Sequence, residues 1–208
     1  MGGSKQNEVV KKSAMNTSVA PLTPTIAALA PVAHIEDLLA GRPRAVQIEH
    51  LCDTRALHRL LARLSLERRP KGATGRYRAP GEPVYVFVNV RPEAPMVSRT
   101  CPATRVAPEM DMLGRRIRAL LTAPPAPDAQ RSELAAVLAT FFRIHPYRDG
   151  NGRIARLLFR RIALLLELPL NDRWTLDKGA YGAAMSLSVE CFHMSPKPLE
   201  SYLQRFFD

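Results

Sequence analysis

Residues 145 to 156 read HPYRDGNGRIAR, and most of them are types that handle phosphate or protons. Gly150 and Gly152 permit tight backbone geometry just ahead of a helical stretch. A glycine-rich turn feeding a helix N-terminus is an anion site, because unbonded amides converge there and the helix dipole favours negative charge. Arg153 and Arg156 are three apart, so on a helix their guanidinium groups share one face beside the turn. Guanidinium is suited to bidentate contacts with phosphate. Asp149 is a hard oxygen ligand for Mg²⁺ held jointly with phosphates. His145, ordinarily titrating near neutrality, stands at the mouth of the turn and could take a proton from a hydroxyl. These are the parts for phosphate-directed transfer onto a hydroxyl. Each has a plainer reading alone: His145 as a helix-end cap, Asp149 as a turn former, the arginines as a solvated helix face.

Such a turn needs firm elements on both sides. AQRSELAAVLATFFRIH (129–145) has Leu134, Val137, Leu138 and Phe141 at helical spacing. It must end at His145, because Pro146 denies its predecessor the α conformation. IARLLFRRIALLLEL (154–168) is the most apolar stretch and is predicted to be the central helix, beginning near Arg153. Residues 46–69 read as one helical stretch with Ile48, Leu51, Leu57, Leu60, Leu61 and Leu64 inward. VAPEMDMLGRRIRALL (106–121) is another, with Met110, Leu113, Ile117 and Leu120 on one side. Residues 177–194 and 198–207 supply two more. VYVFVNV (84–90) has the β-branched and aromatic makeup of a short strand. The fold class is therefore mainly α, a bundle of about six helices with one small strand element.

With 46% hydrophobic and 24% charged residues in 208, the chain can bury one good core. No apolar run reaches the roughly 20 residues that span a bilayer. Residues 157–170 come closest, but Arg160, Arg161 and Glu167 interrupt them. Cys52, Cys101 and Cys191 show no zinc or redox spacing and read as reduced thiols of a cytoplasmic protein. The net charge of +11 should attract polyanions, whether nucleic acid, anionic membrane, acidic protein or nucleotide. A nucleic-acid-binding helical protein is thus a rival from a different class, resting on Arg59, Arg63, Arg68, Arg69 and Lys71. It lacks a recognition module or stacking aromatics among these basic residues, so nucleic acid is not the expected partner. Residues 1–35, rich in Ser, Thr, Ala and Pro, read as a flexible leader or secretion or linker segment ahead of a domain at 36–208. Pro21, Pro24 and Pro31 break any secretory signal, and Gln6 stands where myristoylation expects Ser or Thr.

The loop resembles the Fic family motif, HPFx[D/E]GNGRxxR. It matches at His145, Pro146, Asp149, Gly150, Asn151, Gly152, Arg153 and Arg156, and departs with Tyr147 for Phe. GRYR (75–78) resembles the entry to the family's upstream β-hairpin flap, placed at about 76–100, and the likeness extends over about 46–207. The resemblance implies a Fic-type helical bundle with its motif between the two central helices. It implies transfer of AMP from ATP to a Ser, Thr or Tyr hydroxyl of a target protein, with pyrophosphate leaving. His145 would be the base and Asp149 the Mg²⁺ ligand. Gly150, Asn151 and Gly152 would form the anion hole, with Asn151 donating to phosphate. Arg153 and Arg156 would neutralise the β- and γ-phosphates. Tyr147 would pack its ring under the loop, its hydroxyl needing a partner if buried.

The same resemblance places a target protein at the flap by β-augmentation, the alternative being a hairpin that merely covers the core. Tyr181 is either beside the base or a core residue. Members that phosphorylate carry Lys where Gly152 stands, and phosphocholine transferases tend to carry Ala where Gly150 stands. Both glycines therefore favour nucleotidyl transfer, with UMP, phosphocholine or phosphate transfer as the alternatives. The family's inhibitory [S/T]xxxE[G/N] helix has only loose counterparts, at 4–8 and 186–190. The expectation is that no Glu of this chain meets Arg156, and that any inhibitor is a separate antitoxin-like protein. A leader before a Fic domain fits a cytoplasmic toxin or a bacterial effector secreted into a host cell.

Overall fold

The structure is a computed structural model that describes residues 26–64, 74–82, 86–89, 96–171 and 196–207. Among them are seven α-helices and one two-stranded antiparallel hairpin. The helices are α1 (Ile26–Ala40), α2 (Arg44–Cys52), α3 (Arg55–Leu64), α4 (Ala103–Thr122), α5 (Pro127–Ile144), α6 (Asn151–Leu165) and α7 (Lys197–Leu203). A 3₁₀ turn at Gln204–Phe206 follows α7. Strands β1 (Val86–Asn89) and β2 (Met96–Arg99) pair with Val86 opposite Arg99 and Asn89 opposite Met96.

Helices α5 and α6 form the centre. Leu134, Leu138, Phe141 and Ile144 of α5 and Ile154, Leu157, Leu158, Phe159 and Ile162 of α6 are fully buried. Around this pair, α4 lies on α5, α2 on α4, and α7 on the other side of α5. The chain end closes the core by aromatic contacts, with the Phe159 ring 6.2 Å from Phe206 and 5.8 Å from Phe207. At these separations the edge-to-face geometry adds to the apolar burial.

Two differences from the sequence reading have local causes. The stretch read as one helix is split into α2 and α3 at Asp53 and Thr54. Asp53 is extended (φ −121°, ψ 94°), and its Oδ1 accepts the Arg55 amide at 3.1 Å, so it ends one helix and opens the next. Short polar side chains that bond neighbouring amides favour helix ends over interiors. The second difference is α1, whose Ile26 start lies inside the segment read as a leader, correcting that reading for residues 26–35. Val32, Ile35 and Leu39 recur at i, i+3 and i+7 and are buried, in a helix that lies on α3 and α6. Glu36 fastens it, its Oε2 accepting from Arg160 of α6 at 2.5 Å. The helix expected at 177–194, with Tyr181 and Cys191, lies outside the described residues. So do the loose inhibitory matches at 4–8 and 186–190, and Arg68, Arg69 and Lys71. Among the described residues no helix is long and apolar enough to cross a membrane.

Candidate active site

The turn between α5 and α6 is built by two left-handed residues. His145 closes α5 in the αL conformation (φ 47°, ψ 60°), its amide bonded to the Phe141 carbonyl at 2.9 Å. A positive φ is uncommon outside glycine, so the neighbours must hold it. Gly150 opens α6 with φ 83°, which a side chain would strain. Helix α6 therefore starts at Asn151, two residues before the expected Arg153.

Arg78 is what holds the His145 turn. Only 3% exposed, it donates Nε to the His145 carbonyl at 2.7 Å and Nη2 to the Ile144 carbonyl at 3.0 Å. Its own amide bonds the Pro146 carbonyl at 2.8 Å, and the Cys101 amide bonds the Arg143 carbonyl at 2.9 Å. The last carbonyls of a helix lack intrahelical partners, and here a guanidinium and the Cys101 amide supply them, while the Arg78 amide ties Pro146 just beyond. Arg78 precedes the hairpin and Cys101 follows it, and Arg78 Nη2 joins them by bonding the Cys101 carbonyl at 2.7 Å. Both feet of the hairpin thus stand on the turn that carries His145. Burial, and then the Arg78 guanidinium, push the His145 imidazole from its ordinary 6.5 down to about 4, against a hydrogen bond to the Phe142 backbone. At neutral pH the ring is uncharged and can accept a proton.

Beneath the turn lies Tyr147, fully buried. The partner its hydroxyl needs is Thr54, with 2.7 Å between the two oxygens. Its ring stacks on His58 at 3.9 Å between centroids and 1° between planes, and Tyr77 meets it tilted at 5.7 Å. Burial raises the phenol well above its ordinary range, so Tyr147 stays neutral.

The remaining motif residues gather at the start of α6. Asp149, with its side chain 61% exposed, accepts the Gly150 amide on Oδ1 at 2.6 Å and faces Arg153 Nη2 from Oδ2 at 3.6 Å. Arg153 and Arg156 are both half-buried on α6. A Cβ added to Gly152 would meet no atom within 4 Å, so the space over this residue is open. The amides of Asn151 and Gly152, first in the helix, have no carbonyl one turn earlier to bond. Asn151 opens α6 with its side chain turned into the loop. Its Oδ1 accepts the Tyr147 amide at 3.0 Å and its Nδ2 donates to the Tyr147 carbonyl at 2.7 Å. The side chain, 3% exposed, braces the turn, and what Asn151 offers an anion is its backbone amide.

Arg78, the last residue of GRYR, and Thr54 and His58 support the site from outside the motif. The signal for the last two was present: Thr54 and His58 are i and i+4, in step with the buried Leu61, so polar side chains sit on an inward face.

The sequence profile of the Fic/DOC family matches residues 48–163, from within α2 to within α6 and including the whole turn. The chain belongs to the Fic/DOC family. Solved Fic proteins share its fold. BepC of Bartonella tribocorum, a VirB-translocated effector solved with AMPPNP bound, superposes with a TM-score of 0.61 at 14% identity, over 87% of this chain and 84% of that one. The N-terminal Fic domain of a VirB-translocated Bep effector from Bartonella quintana, solved with ADP bound, gives 0.61 at 16% identity, over 87% and 83%. A third Bep Fic domain, from Bartonella sp. AR 15-3, gives 0.62 at 11% identity, over 87% and 80%. No curated protein sequence matches the chain.

Proposed function

We propose that this Fic protein is a protein adenylyltransferase, moving AMP from ATP to a Ser, Thr or Tyr hydroxyl of a target protein. The observation that carries the reading is the start of α6, where open space over Gly152, the first helical amides, Arg153 and Asp149 adjoin the turn closed by a neutral His145. A triphosphate laid there meets amides and guanidinium groups, and phosphoryl-type transfer needs mainly positioning and charge neutralisation.

In this reading the target hydroxyl oxygen attacks the α-phosphorus and its proton passes to His145. The bond from the α-phosphorus to the bridging oxygen breaks, and pyrophosphate leaves against Arg153 and Arg156. The bound triphosphate's negative charge favours the imidazolium and so raises the basicity of His145, strengthening it as a base when substrate is present. Asp149 suits Mg²⁺, because one exposed carboxylate beside phosphates is how this ion is commonly held. Held there, the ion would neutralise phosphate charge. The AMPPNP and ADP of the two Bartonella structures support nucleotide as the ligand.

The hairpin suits the target. Its two feet are fastened to the turn carrying His145, so a segment paired to a strand edge is held in register with the base. That the structural neighbours are VirB-translocated Bartonella effectors supports a secreted effector as the setting. The test is incubation with ATP labelled at the α-phosphate and a cell lysate, with pyrophosphate measured in parallel. Label on protein and stoichiometric pyrophosphate with wild type, both lost with His145→Ala, support the reading. Pyrophosphate without protein-bound label would leave a hydrolase and overturn it.

A further inference from the structure

His58 lies on α3, outside the motif, and is 2% exposed. Both of its ring nitrogens are engaged in ways that fix its protonation state. The Gly75 amide donates to Nδ1 at 2.9 Å, which requires a lone pair there. Nε2 stands 3.0 Å from the Asp149 carbonyl, which can only accept, so Nε2 carries the proton. The ring is therefore the neutral Nε2–H tautomer, held face to face on Tyr147 at 3.9 Å.

The group it reaches matters more than the bond itself. The Asp149 carbonyl and the Gly150 amide belong to one peptide unit. His58 holds the carbonyl end, and the Asp149 carboxylate holds the amide end at 2.6 Å. Turning that peptide would swing the carboxylate away and disturb the left-handed Gly150 from which α6 starts. Gly75 is matched to the arrangement: its φ is +72°, and an added Cβ would fall 2.1 Å from Arg59 Cγ and 3.2 Å from the Arg55 carbonyl. The turn can give its amide to His58 only as glycine.

We propose that His58 is a positioning residue for the transfer reaction, setting the Asp149–Gly150 peptide through its Nε2–H and so the place of the Mg²⁺ ligand and the first amides of α6. This rests on the adenylyltransferase reading for the reaction it serves, but not for the bond. Two variants separate the bond from the packing. His58→Gln keeps a donor where Nε2 stands, toward the Asp149 carbonyl. His58→Asn keeps an acceptor where Nδ1 stands, toward the Gly75 amide. Both lose the stacked ring, so a purely structural role lowers their melting temperatures and their nucleotide affinities together.

The measurements are melting temperature, calorimetric titration with Mg²⁺ and ATP, transfer rate, and ¹⁵N NMR of the wild-type imidazole. The expected result is a neutral ring protonated at Nε2. His58→Asn should bind Mg²⁺–ATP about tenfold more weakly than His58→Gln, with similar melting temperatures, the effect of one lost hydrogen bond. A ring protonated at Nδ1, or equal binding by the two variants, overturns the proposal. If wild type transferred nothing, the adenylyltransferase reading would fail while the NMR and calorimetric results still decided the role of His58 in the loop.

Discussion

His145 is held in a left-handed turn by the arginine that also lowers its basicity. The consequence is a prediction about pH. An ordinary histidine base would lose activity below about pH 6.5, but His145, the proposed base, stays neutral in the free enzyme down to about 4. The acid limb of kcat/KM should therefore leave the rate flat between pH 6.5 and 5. A decline centred near 6.5 would show that His145 is not desolvated as described. A second prediction concerns the one departure from the family motif. Thr54→Val strands the buried Tyr147 hydroxyl and should cost about 1–3 kcal/mol, while Tyr147→Phe should cost about 1 kcal/mol. Together they should cost less than the sum, with a coupling of about 1 kcal/mol in a urea-denaturation cycle. Additive losses would mean that the two oxygens do not share a bond.

At the scale of elements, the turn is seated by segments far away in sequence. The motif was legible because its residues are contiguous, and because Pro146 and the glycines constrain the backbone locally. The apolar periods of α4, α5 and α6 were legible for the same reason. What seats the turn was not, since the Thr54–Tyr147 and His58–Asp149 contacts span 93 and 91 residues. No local spacing reports a contact of that range. Asn151 was legible in part: its place in the motif was visible, but only coordinates show its side-chain amide folded back on Tyr147. Arg78 gives the prediction at this scale. Arg78→Met removes the donors from three buried or half-buried carbonyls and should lower stability by about 2–4 kcal/mol, seen as a fall of about 5–15 °C in Tm. It should also loosen the hairpin, increasing amide exchange at Cys101. Unchanged exchange there would separate the hairpin from the turn.

Over the whole molecule, two buried groups pull the pH dependence of stability in opposite directions. His145 is depressed, so its contribution is present above about 6.5 and is lost as pH falls toward 4. Glu36 is raised from its ordinary 4.5 to about 7, because burial outweighs the neighbouring Arg160. Its contribution is complete below about 4.5 and is lost as pH rises through 7. Glu36→Gln removes this second component, so the difference in urea midpoint between wild type and variant should shift steadily in the variant's favour from pH 4.5 to 7. A constant difference would mean that Glu36 is ionised throughout that range.

The central proposal is that the start of α6 directs the α-phosphate of ATP to a hydroxyl presented beside His145. The most direct test uses ATP labelled separately in the adenine ring, the α-phosphate and the γ-phosphate, with wild type and His145→Ala. Adenine and α-phosphate label should appear on a target protein in equal amounts, γ-label should not, and the variant should transfer none. Transfer of γ-label alone would contradict the claim and make the reaction a phosphorylation.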